Sequence, residues 1–227
     1  MILKPILFNT SMVQAILEGR KTSTRRIIKN KYENSNIEWF ENKYGRKLVY
    51  MQNDAKVTKN SDGSENRQLR ACEEIRPPYK VEDILYVRET WCQSTEIEPN
   101  YGKQEYHYKA SPDDFIRQAP EGFIKWKPSI HMPKVAARIF LKVTDIKVQR
   151  LQDITEDEAQ QEGIDPEVAI EYSNWRPTFY DPDSGGEPNY REAFKDLWDK
   201  LYKKKGYGWD SNPWVFVISF RRVDKEE

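Results

Sequence analysis

The chain has 227 residues, enough for one sizeable core, and its 37 basic residues are matched by 37 acidic ones. That balance leaves no long-range field to gather polyanions, which excludes a non-specific nucleic-acid coat and allows only a local basic patch. With 37% hydrophobic and 33% charged residues, the core must rest on large side chains, and 7 Trp, 13 Tyr and 9 Phe supply them.

The first run, Lys4 to Phe8, suits a buried strand, and its length is too short for a secretory h-region. Thr10 or Ser11 is expected to cap a helix carrying Met12, Val13, Ile16 and Leu17, which Gly19 stops. Directly after it stands the basic, hydroxyl-rich segment Gly19-Arg20-Lys21-Thr22-Ser23-Thr24-Arg25-Arg26, the best candidate for a working site. Its bland alternative is a solvated basic edge at a helix C-terminus. From about 30 to 78 the chain turns polar. It reads as an inserted elaboration in which Trp39, Phe40, Leu48, Val49 and Tyr50 mark a hairpin and 57–66 an exposed tip.

Ile84 to Trp91 reads as one strand, with 104–110 as its weakly alternating partner. Arg88 and Glu89 then point to opposite faces, so at most one enters a cleft. Between Trp126 and Pro133 runs a proline-bounded loop; His131 and Lys134 are candidate phosphate contacts, with a surface loop rigidified by Pro128 and Pro133 as the alternative. Between Ala136 and Val148 the apolar residues switch face near Thr144-Asp145, which predicts a bulge. Thr155 to Glu158 reads as a capping box for a short helix ended by Gly163. A second helix over 189–204 gathers Phe194, Leu197, Trp198 and Leu201 on one face, and Trp214 to Phe220 is a closing strand. The segments at 84–90, 136–148 and 214–221 are expected in one sheet system. Trp91, Trp126, Trp209 and Trp214 are candidates to stack on a base, although core packing is the default for each.

No repeat and no long linker divides the chain, so the expectation is one α+β domain over 1–227. Cys72 and Cys92 lack C-x-x-C spacing, and His107 and His131 have no partner at ligand spacing. They read as reduced thiols and ordinary histidines, with no metal and no cofactor. No stretch approaches the roughly 20 apolar residues of a membrane span. A soluble cytoplasmic protein without a membrane partner is the expectation.

Gly19, Lys21 and Arg26 stand at the spacing G-x-K-x-x-x-x-R. In this respect the segment resembles the signature of the ASCH family. The setting is similar too: a strand and short helix before it, and Glu82-Asp83-Ile84-Leu85-Tyr86-Val87 where the family has a Gly-Asp turn and strand. Ile154-Thr155-Glu156 followed by Glu162 is similar to the family's helix, and Trp214 to Phe220 to its last strand. Together with Trp126 to Pro133 and Arg150 to Ile154, the chain looks like the longer ASCH proteins of phages and prophages. Residues 30 to 78 fall outside the resemblance, and Glu82 departs from it where glycine is common.

The resemblance implies a PUA-like mixed β-barrel with flanking helices and a cleft for RNA or a nucleobase, in a bacterial or phage-infected cell. One small branch hydrolyses N4-acetylcytidine with a Lys, a Thr and a Glu, and those roles fall on Lys21, Thr24 and Glu162 as catalytic residues. Gly19, Arg25, Arg26, Arg88, Trp91, His131 and Lys134 are then candidates for ligand binding. Because residues three apart on a regular strand face opposite ways, Lys21 and Thr24 share a pocket only if the chain turns between them. Three readings stay open: recognition of RNA or a modified nucleoside with N4-acylcytidine amidohydrolase activity, an RNA-binding module without catalysis, and an accessory protein that binds a host protein through residues 30–78.

Overall fold

The computed structural model describes residues 3–32, 35–42, 45–52, 57–59, 65–67, 70–94, 105–172 and 188–224. The centre of the fold is a five-stranded mixed sheet in the order β1-β8-β11-β12-β2. Its strands are β1 (Leu3–Leu7), β8 (Ile84–Arg88), β11 (Phe140–Arg150), β12 (Trp214–Val223) and β2 (Ser23–Ile27). β1 runs parallel to β8 and every other pairing is antiparallel. The expected companions at 84–90, 136–148 and 214–221 therefore share one sheet, although 134–136 is a 3-10 turn and the strand starts only at Phe140. The sheet is open, with β1 and β2 at its edges. The described strands do not close the barrel expected from the sequence, and the architecture they form is α+β.

β12 is continuously apolar from Trp214 to Ile218, where both of its faces are covered. Phe216, Ile218 and Phe220 join Ile6, Leu85 and Leu141 under helix α1 (Thr10–Leu17). Val215 and Val217 point the other way, into a second core with α3 (Glu156–Gln161), α4 (Pro166–Glu171) and α5 (Tyr190–Tyr202). The register of β11 on β12 slips between Val143 and Asp145, the bulge that the change of apolar face requires.

The helix ends follow from local chemistry. Asn9, rather than Thr10 or Ser11, caps α1: its side chain accepts from the Met12 N–H at 2.8 Å, and Ser11 Oγ in turn donates to Asn9. Thr155 and Glu158 form the expected capping box on α3. Gly163 leaves that helix with φ +86°.

The run Ile84 to Trp91 is two strands, not one. β8 ends at Arg88, and β9 (Trp91–Gln93) pairs with β10 (Tyr106–Tyr108) in a separate two-stranded sheet, with Trp91 also bridged to Lys127. Glu89 explains the break, since its carboxylate turns inward to a bidentate pair with Arg138. In the inserted region, β3 (Ser35–Asn42), β4 (Gly45–Gln52) and β7 (Arg70–Glu74) form a three-stranded sheet. β5 (Val57–Lys59) and β6 (Glu65–Arg67) pair with each other, and their connection, which is half of the expected exposed tip, lies outside the described residues. Trp214 anchors this region by donating from Nε1 to the Ile37 carbonyl at 2.9 Å. No helix among the described residues is long and apolar enough to cross a membrane.

Candidate functional site

The segment from Gly19 to Arg26 is irregular where it must be. Gly19 takes φ +78°, a left-handed conformation that costs glycine little, and so ends α1. Lys21 then bonds through its N–H to the Ala15 carbonyl and forms an isolated antiparallel bridge with Glu162. Thr22 splits its backbone bonds: its N–H goes to Gln161 at 2.9 Å, while its carbonyl accepts from Phe220 at 2.8 Å. Only from Ser23 does the chain become the edge strand β2. This break between Lys21 and Thr24 is the turn that a shared site demands.

Glu162, which caps the C-terminal end of α3, gathers the cluster. Lys21 Nζ donates to its Oε2 at 2.8 Å and to its backbone carbonyl at 2.6 Å. Arg25 Nη1 donates to Oε1 at 3.0 Å, and Arg25 Nη2 to Glu158 Oε2 at 2.6 Å. The Lys21 and Arg25 side chains have no exposed surface and that of Glu162 only 4%. Burial pushes the Lys21 ammonium below its ordinary range, and the attraction of Glu162 only partly offsets it. Arg25 Nε is buried without a hydrogen-bond partner, as is Ser23 Oγ. The Arg25 guanidinium lies 5.7 Å from the Phe194 ring.

Beside this cluster is a cavity of about 150 Å³. Thr24, Arg25, Arg26 and Glu162 form its polar wall, Asn9 and Met12 its α1 side, and Phe194, Trp198 and Tyr202 the opposite wall. Arg26 is held at the rim, donating to the Leu7 carbonyl at 2.9 Å with its guanidinium 5.4 Å from the Phe8 ring. A cavity of this size takes one six-membered ring, as an engineered apolar cavity of similar volume takes benzene. Gly163 fixes Lys21 from behind: a Cβ there would sit 2.7 Å from Lys21 Cβ and 2.8 Å from Ala15 Cβ.

The structure thus brings Thr24, Arg25, Arg26 and Glu162 around one cavity, with Lys21 bonded directly behind Glu162 and Gly19 shaping the approach. The other candidates lie elsewhere. Arg88 donates to the Met132 and Ile130 carbonyls and clamps the proline-bounded loop to β8. His131 and Lys134 are exposed on that loop, outside the cavity. Trp91 is 4% exposed, packed among Met132, Ala136 and Phe140, with Lys127 Nζ 5.0 Å from its ring. Neither Arg88 nor Glu89 enters the cavity.

Sequence reasoning missed the aromatic wall. Phe194 and Trp198 read correctly as the apolar face of α5, but their spacing does not reveal that part of that face borders open space; Asn9 was masked by its hydroxyl neighbours. A second, more open cleft of about 500 Å³ lies where the inserted sheet meets the core, beside Arg150, Trp214, Asn36 and Tyr207. There the Arg150 guanidinium lies 4.3 Å from the Trp214 ring, and Arg46 lies 4.6 Å from exposed Trp39. Among the described residues no group of three or more His, Cys, Asp or Glu is placed to hold a metal ion. Compared with protein-family models, with curated proteins and with solved structures, the chain matches none.

Proposed function

We propose that this chain is a single ASCH domain of the PUA-like class that takes the base of a modified nucleoside into the cavity beside Glu162 and hydrolyses an N4-acylcytosine amide. The observation that carries this reading is a buried lysine of lowered pKa, bonded to a buried carboxylate that lines a ring-sized cavity together with a threonine hydroxyl. Amide hydrolysis asks for a nucleophile, a base and an acid for the leaving amine. On this reading the free amine of Lys21 takes the Thr24 hydroxyl proton, and Thr24 Oγ1 bonds to the acyl carbon. The C–N4 bond breaks, and N4 receives its proton from the Lys21–Glu162 pair. Water then hydrolyses the acyl-threonine, returning the hydroxyl and releasing the carboxylic acid. A fully protonated exposed lysine would not serve, so its burial is part of the chemistry.

The test is release of cytidine from N4-acetylcytidine by the wild type, Lys21→Arg and Thr24→Ala. Lys21→Arg keeps the charge and loses the base. It is expected to abolish turnover while nucleoside binding persists, and Thr24→Ala to abolish turnover as well. Hydrolysis that survives both changes removes the assignment.

RNA binding without turnover is favoured by one further observation, the pairing of Arg150 with Trp214 and of Arg46 with exposed Trp39 beside the larger cleft. Salt-dependent binding of single-stranded RNA, weakened by Trp39→Ala and with no turnover by the wild type, is the result that selects it.

A further inference from the structure

The hydrogen-bond alternation along β2 decides which of its backbone groups face outward. At one end the Ile28 N–H donates to the Trp214 carbonyl at 2.9 Å, and at the other the Phe220 N–H donates to Thr22 at 2.8 Å. Thr24 and Arg26, in register with Ile218 and Phe216, are therefore the residues that exchange bonds with β12. On the far side of β12 the Leu151 N–H donates to the Pro213 carbonyl at 3.0 Å, in keeping with the same alternation. Ser23, Arg25 and Ile27 turn their N–H and C=O groups away from the sheet.

β2 is an edge strand, so no further strand among the described residues receives those groups. Just before it, the edge is occupied by the Thr22–Gln161 bond and the Lys21–Glu162 bridge. Arg25 is different. The residue is only 3% exposed and lines the cavity, yet neither its N–H nor its carbonyl has a hydrogen-bond partner among the described residues. Backbone groups buried without a partner are rare in native proteins, and a pair of them on one cavity wall calls for a ligand that completes them.

We propose that the Arg25 backbone N–H and C=O are the reading edge of this cavity, pairing with a planar ring that carries a hydrogen-bond acceptor next to an N–H donor. The ring takes the place that an added strand would occupy, with Phe194 and Trp198 opposite. In cytosine the N3 acceptor beside N4–H has this pattern, and an N4-acyl cytosine keeps it because one N4 hydrogen remains. Adenine shows the same pattern at N1 and N6–H, so the edge pairing by itself accepts either base. The chain's own backbone discriminates by hydrogen-bond pattern. The choice of cytosine rests on the nucleoside reading above; the edge pairing does not.

Two titrations of the isotope-labelled full chain separate these claims. The first compares 2-pyridone, a single neutral ring with a carbonyl acceptor beside N–H, with N-methyl-2-pyridone, which lacks the donor. 2-Pyridone is expected to bind about tenfold more tightly and to move the Arg25 amide resonance. The second compares N4-acetylcytidine with its 3-deaza analogue, which lacks the acceptor, and about a tenfold loss is expected again. A response of Arg25 to 2-pyridone with no binding of either nucleoside keeps the reading edge and removes the nucleoside function. Equal affinity of N4-acetylcytidine and its 3-deaza analogue, with the Arg25 amide unmoved, overturns the reading edge and leaves the function standing. An Arg25 amide that responds to none of the four compounds, together with no binding of either nucleoside, overturns both.

Discussion

Two glutamates among the described residues are buried, Glu89 at 1% exposure and Glu162 at 5%, and they are treated differently. Glu89 has one partner, the Arg138 guanidinium, which meets both carboxylate oxygens at 2.9 and 3.0 Å. Arg138 itself keeps 30% of its side chain exposed, donates to Ser111 and lies 3.9 Å from the Tyr108 ring. Nearby, burial raises Tyr108 to about 12, so it stays a neutral phenol and donates to the Ala136 carbonyl. That cluster pairs both carboxylate oxygens and faces none of the cavities described above. Glu162 instead holds two wholly buried cations, one of them a lysine that burial drives toward its free amine, and Arg25 Nε stays buried without a partner. The carboxylate of Glu89 is completed by one partner, whereas the Glu162 cluster keeps an unpartnered polar atom in a residue that lines a cavity. Perturbed groups in a cleft are for that reason the better functional signal.

The sharpest way to break this contrast is to neutralise each glutamate in turn. Glu162→Gln is expected to lower N4-acetylcytidine turnover by at least about 100-fold, whereas folded Glu89→Gln keeps wild-type turnover. Glu162→Gln is expected to lose about 3 kcal/mol because it strands two buried cations, and Glu89→Gln about 1 kcal/mol because Arg138 is partly in water. Steady-state assays combined with urea unfolding read the two effects separately. Equal loss of turnover in folded Glu89→Gln would erase the distinction.

Replacing the arginines by lysine probes the same contrast from the other side. Arg25→Lys loses the fork that spans Glu162 and Glu158, and is expected to destabilise by about 2 kcal/mol. Arg138→Lys, whose side chain is partly in water, is expected to cost about 1 kcal/mol. A larger loss at Arg138 would place the more demanding cluster there.

The proton balance of Lys21 gives a pH signature. Its pKa is lowered in the folded protein, so between that value and the unfolded value of about 10.4 the unfolded chain binds more protons. Stability contributed by this group therefore rises with pH through that window, and its burial penalty is largest below it. Comparing the wild type with Lys21→Met by urea unfolding at neutral and alkaline pH isolates the term, and the variant should lack that rise. A wild-type curve parallel to that of Lys21→Met would mean that the lysine is not perturbed.

The smallest effect concerns the turn before β8. Glu82 holds φ +72°, a left-handed conformation that a side chain resists, with only a surface pair to Lys142 in return. Glu82→Gly is expected to stabilise by about 0.5 kcal/mol in thermal or urea unfolding, and to leave both buried clusters untouched.

Much of the frame was legible from pattern. The apolar run of β12, the face switch in β11, the capping box of Thr155 and the face of α5 each follow from local spacing. What remained hidden depends on contacts distant in sequence. That Lys21 meets Glu162 is a contact across 141 positions, fixed by Ala15, Gln161 and Phe220 through backbone bonds that no local pattern encodes. Likewise, the inward turn of Glu89 that splits the expected strand at 84–91 depends on Arg138, which sits 49 positions away.

The tight seat of Gly163 has a consequence for how this protein can vary. Its φ of +86° and the contacts its missing Cβ would make with Lys21 and Ala15 leave two independent reasons for glycine at one position. A random library scored for activity should therefore flag residue 163 as strongly as residues of the cavity wall, although it has no functional group to offer. In such a screen, intolerance would map the mould around the lysine as well as the chemistry, and only folding measurements on the Gly163→Ala protein would tell the two kinds of constraint apart.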